Sequence, residues 1–238
     1  MIIETPKPGI SRLATLSFPS HTLIFNRQVV ANKWDRLFPL VQRPIAGNWD
    51  EFKYTKRSGH KIGWVDDNNA PRFFAKKKTY VKPSSIQLLR ATSDTDLGEI
   101  FDQDRKTIYA FNSLANELYL SPQISAVLTL TEVQQVVQSF GFSGITYAEP
   151  LAGMIDRRNQ YKFMVYDFVK GRTVEFTRRI ASKFEGYQIA FEVTQMLKKL
   201  FLAAFINPTD LNDTSLLVTK TPEGDRLVLI DTEAYTQI

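Results

Sequence analysis

Two short acidic segments near the C-terminal end hold the densest chemistry in this sequence. The stretch NPTDLNDTSLLV, residues 207–218, groups Asp210, Asn212, Asp213 and Ser215 in one polar loop. The stretch LVLIDTEAY, residues 227–235, sets Asp231 and Glu233 directly after an apolar run. An acidic loop, a short strand, a turn, a second strand and then an Asp is an order that can hold metal-bound phosphates. Phosphoryl transfer needs a carboxylate for magnesium, a second carboxylate to orient the attacking hydroxyl and a cation near the phosphates. The cation must come from elsewhere in the chain.

The elements that would position these groups are legible from periodicity. Residues 51–81 read as strands joined by turns: FKYTK alternates, RSGHKIGWV follows, and the turn DDNNAP leads into RFFAKKKTYV, which together predict a β-hairpin or meander. TIYAFNSLANELYL, residues 107–120, favours helix, and Ser121-Pro122 predicts a break after it. TEVQQVVQSFG predicts a second helix with a Thr131–Gln134 capping box, an apolar face of Val133, Val136, Val137 and Phe140, and a stop at Gly141. Strands return in ITYAEPLAGMI and YKFMVYDFV. The clearest helix runs over about 183–205, where Ile189, Val193, Met196, Leu197, Leu200, Phe201 and Ala204 share a face. Residues 1–50 predict irregular or short-strand structure packed by aromatics. The fold class is α+β.

Composition excludes several functions. Without cysteine there is no disulfide, thiolate zinc site or cysteine nucleophile. The only histidines, His21 and His60, are too few for a histidine metal cluster and unsuited to a Ser-His-Asp triad. No apolar run is long enough for a membrane span, and MIIETPKPGI is not built as a secretory signal. A cytoplasmic protein is expected. The net charge of +5 suits a soluble surface with excess Lys, and also nucleotide phosphates, nucleic acid or anionic lipid.

The ordered set resembles the protein-kinase-like superfamily, closest to its small-molecule branch of aminoglycoside, choline and fructosamine kinases. The resemblance covers about residues 55–238 and is best in DLNDTSLLV and LIDTEAY. It implies a two-lobe fold with an antiparallel sheet N-lobe and a shortened helical C-lobe. The implied division is an N-terminal extension over 1–50, an N-lobe over 51–170 and a minimal C-lobe over 171–238. It implies ATP and Mg2+ as cofactors, with the nucleotide in the cleft. Asp210 takes the catalytic position, and Asp231 the magnesium position with Ser215 or Asn212 assisting. Lys76 in RFFAK takes the phosphate-lysine position, with Lys77 as the alternative. Glu117 takes the place of its ion-pair partner, with Glu99 as a substitute. Backbone groups of Asp167, Phe168 and Val169 would meet the adenine edge. Gly59 and Gly63 in SGHKIGWV would form the phosphate-covering loop.

Each position also has a plain structural explanation. Asp210 and Asp213 suit a polar turn after a helix, and Asp231 a strand-end turn. The triple lysine suits a solvated edge strand, Glu117 an exposed helix face, and the glycines ordinary turns. The chain also departs from the family. Pro208-Thr209 stand where His usually precedes the catalytic Asp, Ser215 where Asn supplies a second metal contact, and Thr232 where Phe follows the metal Asp. The short segment after Asp231 leaves the C-lobe to be completed by the N-terminal residues or a partner protein. Two further functions follow: a catalytically inactive kinase-like scaffold, and a basic nucleic-acid-binding protein whose affinity falls steeply with salt.

Overall fold

The computed structural model describes residues 2–4, 13–19, 21–41, 52–57, 60–67, 70–78, 105–156, 161–232 and 235–238. The chain divides into two compact units, the first made of residues 1–119 and 150–168, the second of 120–149 and 169–238. Residues 120–149, placed in the N-lobe by sequence, thus belong with the C-terminal unit. Helices and sheets are mixed in an α+β arrangement.

In the first unit the strands are β1 (Ile2–Glu4), β2 (Leu13–Ser17), β3 (His21–Asn26), β4 (Phe52–Arg57), β5 (His60–Asp67), β6 (Ala70–Lys78), β8 (Pro150–Asp156) and β9 (Tyr161–Asp167). They form one eight-stranded antiparallel sheet in the order β1-β2-β3-β8-β9-β6-β5-β4. The three strands expected at 51–81 are present, and β1 to β3 from the N-terminal segment extend the same sheet.

Alternation along the strands gives the sheet two apolar faces. Leu23, Phe25, Ala152, Met154 and Val165 pack with Val30 of α1 (Arg27–Val30) and with Leu37 and Val41 of α2 (Trp34–Val41). Aromatics fill this side as the composition predicts: the Phe25 and Trp34 rings lie 4.6 Å apart and those of Trp34 and Phe38 5.1 Å apart. His21 is buried in this packing and pairs through Nε2 with the Val41 carbonyl at 2.6 Å. On the opposite face Ile24, Ile155, Met164 and Tyr166 pack with Leu114, Ala115 and Leu118 of α3 (Arg105–Leu128).

The expected break at Ser121-Pro122 is absent. Helix α3 runs through Pro122 to Leu128. Pro122 lacks the N–H that would continue the helical ladder. Buried residues on both sides, Leu118, Leu120, Ile124 and Leu128, hold the helix by packing. Ser121 is buried too, and its carbonyl accepts a hydrogen bond from the Tyr147 hydroxyl at 3.0 Å.

The second unit contains α4 (Thr131–Ser139), α5 (Lys183–Ala203), and a four-stranded sheet. Its order is β10 (Arg172–Thr173), β12 (Leu216–Thr221), β13 (Gly224–Leu229) and β7 (Ile145–Tyr147), with β7 parallel to β13. The capping box predicted for α4 does not form. Leu130 occupies the N-cap position without a side-chain bond. Gln134 instead donates to the Leu128 carbonyl at 2.6 Å and accepts from Ile145 N at 3.3 Å, tying the helix to β7. Gly141, at φ 83°, ends that segment as expected. Helix α5 is capped by Ser182, whose hydroxyl accepts from Glu185 N at 3.0 Å. It buries Ile189, Val193, Leu197 and Phe201 of the predicted stripe, while Met196, Leu200 and Ala204 are half-buried.

Candidate functional site

The loop that carries Asp210 is closed by strands at both ends. β11 (Ile206–Asn207) pairs antiparallel with β14 (Thr236–Gln237), matching Asn207 to Thr236. On the other side β12 pairs with β13, matching Leu216 to Leu229. Residues 208–215 and 230–232 therefore lie between two strand pairs. A direct bond joins them, from Ile230 N to the Ser215 carbonyl at 2.8 Å. Asp210 and Asp231 sit one on each segment, and both are exposed.

Tyr235 directly precedes β14. It is fully buried, with its ring edge-on to Phe201 of α5 at a centroid distance of 5.4 Å. Burial pushes its hydroxyl well above the ordinary tyrosine range, and the Asp231 and Asp210 charges push it further in the same direction. Both carboxylates are thus close enough to act on one phenol. Sequence reasoning missed Tyr235, although an aromatic four residues past a candidate metal Asp, at the start of a final strand, was a usable signal.

The Asp210 loop is ordered by its own polar residues. Asn212 and Ser215 form a capping box around the 3-10 turn Asp213–Ser215. Thr214 N donates to Asn212 Oδ1 at 3.0 Å, and Asn212 N donates to Ser215 Oγ at 3.2 Å. Both side chains also hold the Asp210 carbonyl, Asn212 Nδ2 at 2.9 Å and Ser215 Oγ at 3.3 Å. The same residues that the sequence offers as secondary metal contacts therefore shape the loop. Ser215 is buried, whereas Asn212 is exposed.

Asp231 has φ 59°, in the left-handed region. Non-glycine residues occupy that region at a cost, with Asp and Asn tolerated best. Such backbone strain concentrates at functional positions, where surrounding structure enforces it. Thr232 is buried directly behind it. The side chain of Glu233 falls outside the described residues.

In the first unit, Glu117 is not on an exposed helix face. It is buried on α3, and the Tyr166 hydroxyl donates to its Oε1 at 2.5 Å. A carboxylate this deep needs compensating partners for its lost hydration. The register of β6 and β9 places Phe74 opposite Tyr166 and Lys76 opposite Met164. Met164 and Tyr166 both pack on the α3 side of the sheet. Lys77 takes the next position, opposite Phe163. Strand alternation thus assigns position 76, and not 77, to the sheet face that carries Glu117. The side chains of Lys76 and Lys77 lie outside the described residues, as do Gly59 and Glu99. Gly63 lies within β5, opposite Ala75 of β6.

Asp167 ends β9, and its carboxylate forms an ion pair with Lys33. The chain leaves the first unit between Phe168 and Val169. This is the segment expected from the resemblance to meet the adenine edge; its contact with Lys33 was not anticipated.

Among the described residues no three His, Asp or Glu side chains cluster as a metal cage. Magnesium commonly takes only one or two carboxylates and completes its shell with phosphate oxygens and water. Asp231, whose side chain is exposed, offers one such carboxylate. No helix among the described residues is long and apolar enough to cross a membrane. No protein-family model matches the chain, and no curated protein matches it.

Proposed function

We propose that the chain is a kinase-like phosphotransferase using ATP and Mg2+. The observation that carries the proposal is the closure of the Asp210 and Asp231 segments by strand pairs at both ends, with both charges acting on Tyr235. The order within the first unit also supports it: three antiparallel strands, a helix with a buried Glu and, after residues 120–149 of the second unit, two further strands before the chain returns to that unit.

In this proposal Asp231 holds the magnesium, and Asn212 or Ser215 assists by exchanging a loop hydrogen bond. The bound cation would neutralise phosphate charge. Asp210 accepts or orients the proton of the acceptor hydroxyl. Its backbone carbonyl, fixed by Asn212 and Ser215, keeps the residue in place. Lys76 would hold the α- and β-phosphates, and Glu117, anchored by Tyr166, would orient it. Backbone groups of Asp167, Phe168 and Val169 would meet the base, with Gly59 and Gly63 near the phosphates.

A second function, nucleotide binding without transfer, is favoured by one observation. Ser215, where the resembled family has Asn, is buried and bonded to the loop backbone. Turnover separates the two. ATP consumption in the presence of candidate hydroxyl acceptors should be measurable for the wild type. Asp210→Ala should lower it by about 100-fold or more, the scale of a lost catalytic base. Binding without consumption would instead support the inactive scaffold.

A further inference from the structure

The second unit gathers cations along one edge of its sheet. From Lys170 to Phe184 the sequence holds Lys170, Arg172, Arg178, Arg179 and Lys183 against a single carboxylate, Glu175. That local excess of four makes up most of the chain's +5. Glu175 is buried, whereas all five cations are exposed. Strand register adds a sixth. Arg172 of β10 lies opposite Val218 of β12, and the Lys170 carbonyl accepts from Thr219 Oγ1 at 3.1 Å. Lys220, two residues beyond Val218, is on the same sheet face as Arg172 and is exposed. It stands opposite Asp225 of β13, whose carboxylate holds Arg179 at 3.3 Å. Strand pairing thus brings both ends of the basic segment to one rim of the sheet.

Most of these charges have no carboxylate partner. Among the described residues Lys170, Arg172, Arg178, Lys183 and Lys220 form no ion pair. The acidic groups around them are engaged: Asp225 with Arg179, Glu223 with Arg226 at 4.0 Å, and Glu185 with Ala181 N at 3.0 Å. Like charges held at one surface repel, and a bound polyanion relieves that repulsion. Aromatic rings stand beside them. Phe176 lies in the chain between Arg172 and Arg179, both tied to the rim, and is 56% exposed. Lys183 Nζ is 5.0 Å from its ring centroid and 5.8 Å from that of Tyr187, which is also exposed. The junction beneath this aromatic patch is tight. A Cβ on Gly186 would meet Glu175 Cα at 2.5 Å, so the 3-10 turn Val174–Phe176 is seated on the first turns of α5.

The chemistry selects the partner. Lys is depleted in the core of protein–protein interfaces, whereas nucleic-acid interfaces are far more positively charged. Arg and Lys pair with phosphates, and exposed rings give bases a face to stack on. A duplex keeps its bases stacked on one another, so the rings select a single strand. A membrane-binding helix presents a broad apolar face, and the apolar stripe of α5 is buried in the core. We propose that this basic rim, with Phe176, binds single-stranded nucleic acid. Phosphates pair with Arg172, Lys220 and the neighbouring cations, and a base stacks on Phe176. The surface uses other residues than Asp210 and Asp231, and it does not depend on the phosphotransferase proposal.

The test is fluorescence anisotropy of a labelled single-stranded oligonucleotide, as RNA and as DNA, titrated with the full chain over a range of salt concentrations. Binding to at least one of the two is expected, with weaker binding to a duplex of the same sequence and to polyglutamate. Arg172→Gln with Lys220→Gln should weaken binding by about tenfold or more. It should also make the slope of log K against log salt shallower by about 1.4, two phosphate contacts at about 0.7 each. Phe176→Ser should weaken binding by about fivefold or more and leave the slope unchanged, as lost stacking would. All three side chains are exposed, so both variants should keep the wild-type melting temperature. The proposal is overturned if the wild type binds neither single strand, if the double variant keeps the wild-type affinity and slope, or if Phe176→Ser binds equally. Binding of polyglutamate or of anionic vesicles as tight as that of the single strand would overturn it in favour of a protein or a membrane.

Discussion

At the residue scale, the most informative side chain is Tyr235. Its phenol is buried beside two carboxylates, and its ionisation is pushed upward. Below about pH 10 the phenol is neutral both folded and unfolded. Above that value the unfolded chain ionises this group while the folded protein keeps it protonated. Stability is therefore lost as pH rises, by about 1.4 kcal/mol per pH unit for this one group. Tyr235→Phe removes the dependence. Urea denaturation at pH 9 and pH 11 should show a smaller alkaline loss for Tyr235→Phe than for the wild type, and equal losses would contradict the placement of this residue. Glu117 teaches a related lesson. Its position on a helix was legible in the sequence, but its burial was not, because a single Glu in NELYL looks the same on either face.

Elements decide which residues can meet. Strand register separates Lys76 from Lys77, a distinction the string KKK cannot make. The pairings Asn207 to Thr236 and Leu216 to Leu229 hold the two acidic segments together. The strands Ile206–Asn207 and Thr236–Gln237, of two residues each, are too short to leave a period in the sequence. The long stripe of α5 was legible because apolar residues recur over about four turns, and the strands of 51–81 because apolar and aromatic runs are separated by turn residues. The Pro122 break failed because burial of several Leu and Ile side chains outweighs the roughly 3 kcal/mol cost of an interior Pro. The Thr131 capping box failed because Gln134 is held instead by Leu128 and Ile145. The junction under the aromatic patch gives a prediction at this scale. Gly186→Ala should destabilise the second unit by about 1–3 kcal/mol, because the new methyl meets backbone at Glu175. Thermal denaturation would show it, and an unchanged melting temperature would mean that the turn is not seated on α5.

At the scale of the whole molecule, charge and composition set broad limits, and the functional proposal rests on one small region. The α+β class was readable from alternating and helical segments. The division into units was less so, because residues 120–149 join the C-terminal unit through β7, whose parallel pairing to β13 has no local signature. The net charge of +5 is compatible with nucleotide, lipid or nucleic acid and cannot choose among them. The choice depends on whether the second unit takes a metal-bound phosphate. Calorimetry of ATP binding, with and without Mg2+, on the wild type and Asp231→Asn measures this most directly. Asn is the proper variant because it tolerates the φ of 59° while removing the charge. The proposal predicts Mg2+-dependent binding by the wild type, weakened about tenfold or more in Asp231→Asn, the scale of one lost charge-assisted contact. Absence of binding by the wild type, or equal Mg2+-dependent binding by both proteins, would contradict it.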